Sequence, residues 1–155
     1  MACSRAFAVH TYLNIIIFKK SEKILIPIAN RQNIDFLIEL AVMIKEQGNK
    51  EPVVALSVID EEDKPEKLKE CKQLLLRAQK IVAATDHRIK TIIRHDINVV
   101  NGIINAAKEN QVTDVIMGLH KRTIFTEMFF GSKTDALLSG FSHTIIIFKS
   151  VQPLN

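Results

Sequence analysis

Tryptophan is absent from the 155-residue chain, tyrosine occurs once, and aromatic residues make up only 6%. A protein that stacks nucleobases on aromatics interleaved with a basic face needs more than this, and the net charge of +4 comes from Lys and Arg scattered among nearly as many acids. Nucleic acid is therefore not an expected partner. Only two cysteines are present, Cys3 near an end and Cys71 inside a helical stretch, so no disulfide framework is expected and a reducing compartment suits the chain. Long apolar runs are missing as well. Ile15-Ile16-Ile17-Phe18 falls far short of the ~20 residues needed to cross a bilayer, and the run after Arg5 is broken by His10 and Asn14, unlike a signal peptide. These absences together predict a cytoplasmic protein.

Phosphate-binding signatures are missing too. No Gly, four residues, then Gly-Lys-Ser/Thr string occurs, and Ile28-Ala29-Asn30-Arg31-Gln32 after the first apolar run contains none of the glycines of a dinucleotide fingerprint. That turn is neither Ser/Thr/Gly-rich, as a flavodoxin-like loop would be, nor acidic, as a phospho-acceptor would be. His10, His87, His95, His120 and His143 lack metal-ligand spacing and lie far from either cysteine, so no metal site is expected. His95-Asp96 could form an acid/base pair, although Asp96 also suits a helix cap. No nucleophile has a positioned base, so the chain is not expected to be an enzyme, with slow nucleotide hydrolysis left open.

What is present is alternation. The runs Ile24 to Ile28, Val53 to Ile59, Lys90 to Arg94, Asp114 to Met117 and Thr144 to Phe148 read as strands, apolar almost throughout but for the third, where Ile92-Ile93 is flanked by polar residues. Between them lie stripes at helical spacing: Ile34, Leu37, Ile38, Ala41 and Ile44, preceded by turn and cap residues at Asn30 to Asn33 and running up to Gly48 as a natural stop; Leu68, Cys71, Leu75, Ala78 and Val82, with Pro65 in the first turn; and Val100, Ile103, Ile104 and Ala107, capped by Asp96 or Asn98. A last helix is read from Thr134 to Ser139. Continuous apolar strands joined by helices predict a doubly wound α/β fold, a five-stranded parallel sheet with helices on both faces. Ligands of such sheets sit at the carboxyl ends of the strands where strand order reverses, here at the turns after Ile28 and Met117.

One loop carries chemistry. Val115-Ile116-Met117 stops at Gly118, a basic triplet His120-Lys121-Arg122 follows, and Gly131-Ser132 opens the last helix. The free amides of a helix start make this a candidate anion cradle. Ser132 and Asp135 also have capping-box spacing, and capping and anion binding use the same amides. Phe125, Met128, Phe129 and Phe130 read as core or interface cover rather than a stacking platform.

Counting from Gly118, two residues precede Lys121 and nine more precede Gly131-Ser132. This spacing, with the order of elements from Lys23 to Lys149, resembles the universal stress protein family, whose nucleotide-binding members carry Gly, two residues, Gly, nine residues, then Gly with Ser or Thr. The resemblance implies the adenine nucleotide alpha hydrolase-like fold and a site for ATP or another adenine nucleotide formed by Ala29, Val58, Gly118, His120, Lys121, Gly131, Ser132, Lys133 and Thr134. Two positions depart from the pattern: Lys121 replaces its middle glycine, and Ala29 replaces the aspartate that closes the first strand.

A narrower resemblance joins Gly118-Leu119-His120-Lys121, Phe129-Phe130-Gly131-Ser132-Lys133 and the Ile-Pro-Ile-Ala-Asn of the first strand to the cytoplasmic C-terminal domains of bacterial sodium/proton antiporters. It implies a regulatory, ligand-sensing, homodimeric domain attached to a membrane transporter. The alternatives are a stand-alone universal stress protein or a ligand-free dimerisation module with a degenerate site. The organisation expected is an extension or linker at 1–22, the domain at 23–150 and a tail at 151–155. Ile15-Ile16-Ile17-Phe18-Lys19 recurs as Ile145-Ile146-Ile147-Phe148-Lys149, which marks the first copy as a candidate extra edge strand.

Overall fold

A strand buried on both faces must be apolar at every position, and each of the runs above that meets this condition lies in the sheet. The computed structural model describes residues 23–45, 48–61, 63–119 and 144–149. The strands are β1 (Ile24–Pro27), β2 (Val53–Ile59), β3 (Ile89–His95), β4 (Asp114–Leu119) and β5 (Thr144–Lys149), with helices α1 (Ile34–Ile44), α2 (Lys67–Val82) and α3 (Val99–Glu109). All pairings are parallel, in the order β3-β2-β1-β4-β5. The chain winds outward from β1 through β2 to β3, then returns across β1 to lay down β4 and β5.

Period-two alternation divides the core between the two faces. Ile24 and Ile26 of β1, Val53 and Ala55 of β2 and Ile116 of β4 pack against α1 and α2 through Ile34, Ile38, Ala41, Leu74 and Ala78. Leu25, Val54, Leu56, Val115 and Met117 face the other way, onto Val100, Ile103, Ala106 and Ala107 of α3. At the sheet edge Phe36 of α1 stacks on Phe148 of β5, with ring centroids 3.9 Å apart.

Several element details differ from the sequence reading. α1 ends at Ile44 rather than running to Gly48: Lys45 turns extended and buries its side chain, whose amine donates to the Glu51 carbonyl. Burial pushes the Lys45 ammonium below its ordinary pKa. Pro65 lies in the turn before α2, not in its first helical turn, and Leu68 is exposed while Leu74 takes the buried place. The cap of α3 is Asn98, whose side chain accepts from the Asn101 N–H at 2.9 Å; Asp96 is engaged elsewhere. The last helix at 134–139, the Ser132–Asp135 capping box and the candidate strand at 15–19 lie outside the described residues.

Candidate functional site

The cleft begins where β1 stops. Pairing of β1 with β4 runs through Ile24–Asp114 and Leu25–Val115. Successive residues of a parallel strand bond to opposite neighbours, and Ile28 N–H donates to Leu56 of β2 at 2.7 Å. Position 27 therefore faces β4, and as proline it has no N–H to donate. The β1–β4 ladder ends, β4 runs on to Leu119 paired only with β5, and a gap opens at the point where strand order reverses.

Pro27, Ile28, Ala29, Asn30, Asn33, Ile34, Leu37, Met117 and Gly118 line this gap, a shallow cleft open to solvent. Its floor is held by Ser57, fully buried on β2, whose hydroxyl donates to the Ile28 carbonyl at 3.1 Å. A buried hydrogen bond of this kind contributes about 1 kcal/mol and fixes where the β1 end points. Cys71 of α2 lies buried beside Ser57, and burial raises its thiol pKa, so it is a packing residue and not a nucleophile. At Gly118 a Cβ would approach Asn33 Nδ2 to 3.0 Å and Leu37 Cδ1 to 3.4 Å, so a larger residue would press on the α1 side of the cleft.

Of the residues expected to form the site, Ala29 and Gly118 line this cleft. Val58 does not: its half-buried side chain packs beneath Gly102 of α3, on the other face. His120, Lys121, Gly131, Ser132, Lys133 and Thr134 lie outside the described residues. Asn30 and Asn33, read from the sequence only as turn and cap residues, are the polar groups of the described cleft. The signal for them was two carboxamides flanking the turn after the first strand, at the predicted switch point.

A second, wider hollow lies at the ends of β2 and β3, lined by Ile59, Asp60, Glu61, His95, Asp96 and Ile97. Its acids disfavour a phosphate. Asp96 does not pair with His95; its Oδ2 accepts from Arg94 Nε and Asn105 Nδ2, both at 2.9 Å, and Arg94 also bridges to Glu109 at 2.7 Å. The Arg94 guanidinium holds the Asp96 carboxyl below its ordinary value. Among the described residues no group of three or more His, Cys, Asp or Glu converges on a metal position, and no helix is long and apolar enough to cross a membrane.

A comparison with models of protein families matches residues 20–149 to the universal stress protein family. The chain belongs to that family. No curated protein matches it. Among solved structures it is similar to the hypothetical protein MJ0577, at 23% identity and TM-score 0.69 over 85% of this chain and 98% of that one. It is also similar to the universal stress protein from Archaeoglobus fulgidus in complex with dAMP, at 15% identity and TM-score 0.62 over 81% and 95%. A universal stress protein in complex with cAMP matches at 12% identity and TM-score 0.63 over 84% and 98%. At such identities the likeness carries the fold, a five-stranded parallel sheet with helices, and the universal stress assignment rests on the family match.

Proposed function

We propose that this universal stress domain binds an adenine nucleotide or a related small anion in the cleft between the ends of β1 and β4, and that binding serves regulation rather than catalysis. The observation that carries the proposal is the cleft itself: largely apolar walls at the point where strand order reverses, carboxamides at its side, and Gly118 next to the point where the basic loop leaves β4. The dAMP and cAMP held by two proteins of similar fold support the ligand class. His120, Lys121, Gly131, Ser132, Lys133 and Thr134 are the residues proposed to meet the phosphates, through side-chain charge and helix-start amides.

The setting proposed is the cytoplasmic regulatory domain of a sodium/proton antiporter, acting as a homodimer. The first-strand Ile-Pro-Ile-Ala-Asn and the Gly118 to Lys133 segments support it. Several ~20-residue apolar segments upstream in the same reading frame would bear it out, and their absence would leave a stand-alone universal stress protein.

Calorimetric titration with ATP and AMP tests the binding. The wild type is expected to take up nucleotide, and Gly118→Val, which crowds Asn33 and Leu37, is expected to weaken it about tenfold or more, since misplacing a binding group by an ångström is costly. Absence of heat with either nucleotide would refute the proposal. It would favour a ligand-free interaction module, a reading that Ala29 supports by offering no carboxylate at the end of β1.

A further inference from the structure

We propose that Asn33 is the specificity-determining residue of the β1–β4 cleft, and that it reads a ring edge carrying an amino donor beside a ring-nitrogen acceptor, as on adenine; this rests on nucleotide binding there. Asn is among the best N-cap residues because its side chain accepts from the first free amides of a helix. The protein contains a direct contrast. Asn98, at φ −157° and ψ 165°, caps α3 in this way. Asn33 occupies the same position on α1 at φ −114° and ψ 1° and caps nothing.

Its carboxamide turns instead toward Gly118, where even a methyl group would come within 3.0 Å of Nδ2. The glycine and the unused cap thus have one result: a primary amide held at the cleft wall. Among the described residues it has no hydrogen-bond partner. The other amide of the cleft, Asn30, already accepts from the Gln32 N–H at 3.1 Å. Among the described residues no charged side chain lines the cleft.

An amide presents a donor and an acceptor side by side. Adenine offers the complement, an amino donor next to the N7 acceptor, whereas guanine presents two acceptors on that edge and leaves the amide oxygen facing another oxygen. An unmatched pair lowers affinity, because the half-buried amide then gives up hydrogen bonds to water without replacing them.

The test is titration of AMP and of GMP into the full chain, comparing wild type, Asn33→Leu and Asn33→Asp. Wild type is expected to prefer AMP about tenfold or more, and both substitutions to weaken AMP by a similar factor and remove the preference. Thermal midpoints within a degree or two of wild type would show that the variants remain folded, as expected for a side chain that caps nothing. If wild type binds neither nucleotide, the nucleotide reading and this one fall together. AMP affinity within twofold of wild type in both variants, or a wild type that does not distinguish AMP from GMP, overturns the role of Asn33 alone.

Discussion

Replacing Gly102 by alanine separates two effects that a helix glycine normally confounds. In an exposed helix interior, Gly→Ala stabilises by about 1 kcal/mol through backbone entropy. At Gly102 the added methyl would stand 2.5 Å from Val58 Cγ1 and 2.9 Å from Cγ2, well inside van der Waals contact, with the fully buried Ile103 holding α3 on the sheet. Overpacking of this kind costs about 1 to 3 kcal/mol. The net expectation for Gly102→Ala is a loss of about 0 to 2 kcal/mol. Val58→Ala alone removes two half-buried methyls and costs about 1 kcal/mol. In the double variant the clash is gone and the helix gain remains, so Gly102→Ala becomes stabilising in the Val58→Ala background, with a coupling of about 1 to 3 kcal/mol. Urea unfolding of the four proteins measures this cycle. Additive effects, or a Gly102→Ala that stabilises equally in both backgrounds, would refute the close approach of α3 to the end of β2.

Other expectations follow from burial and charge. Leu74→Ala should cost about 2 to 5 kcal/mol and Leu68→Ala less than about 1, since the first is 1% and the second 38% exposed; chemical denaturation reads both. The carboxyl of Asp96 is held below its ordinary value of 3.8 by hydrogen bonds from Arg94 and Asn105. A carboxyl with a lowered folded-state pKa adds stability above 3.8, and that stability is lost as pH falls through the folded value. Asp96→Asn should therefore be less stable than wild type at neutral pH, with the gap closing in strong acid. A gap independent of pH in urea midpoints would contradict the role of the charge.

Much of the architecture was legible because it depends on local pattern. Val53 to Ile59 is apolar at every position but Ser57, a pattern that a doubly covered parallel strand requires, and the helix stripes between the strands recur at helical spacing. Details that depend on a partner elsewhere in the chain were not legible. Leu68 and Leu74 both fit the stripe of α2, and only the reach of the sheet beneath the helix decides between them. Lys45 ends α1 because a carbonyl six residues on takes its amine, a contact that no propensity encodes. Val58 was placed at the ligand by resemblance, yet the register of β2 turns it toward Gly102, because adjacent strand residues point to opposite faces. The cap role of Asn33 was inferred from residue type, whereas capping needs a backbone conformation that Asn98 has and Asn33 lacks.

The position and the selectivity of the cleft have separate origins. Its position follows from topology: β1 lies at the centre, strand order reverses between β1 and β4, and Pro27 ends their ladder, so a gap would form here whatever it held. Selectivity depends on the side chains at its wall. A carboxylate at position 29 would present acceptors only and would suit hydroxyl donors such as those of a ribose. Ala29 removes that option and leaves the amides of Asn30 and Asn33, which donate as well as accept and carry no charge to repel a phosphate. Charge for an anion must then come from beyond the cleft. In the proposed reading His120-Lys121-Arg122, which follows directly in sequence after the strand that forms one wall, supplies it. If the cleft takes a nucleotide as proposed, exchanging Ala29 for Asp should offer an acceptor to ribose hydroxyls while adding a negative charge that disfavours phosphate, so the balance of nucleoside against nucleotide affinity reports which effect dominates.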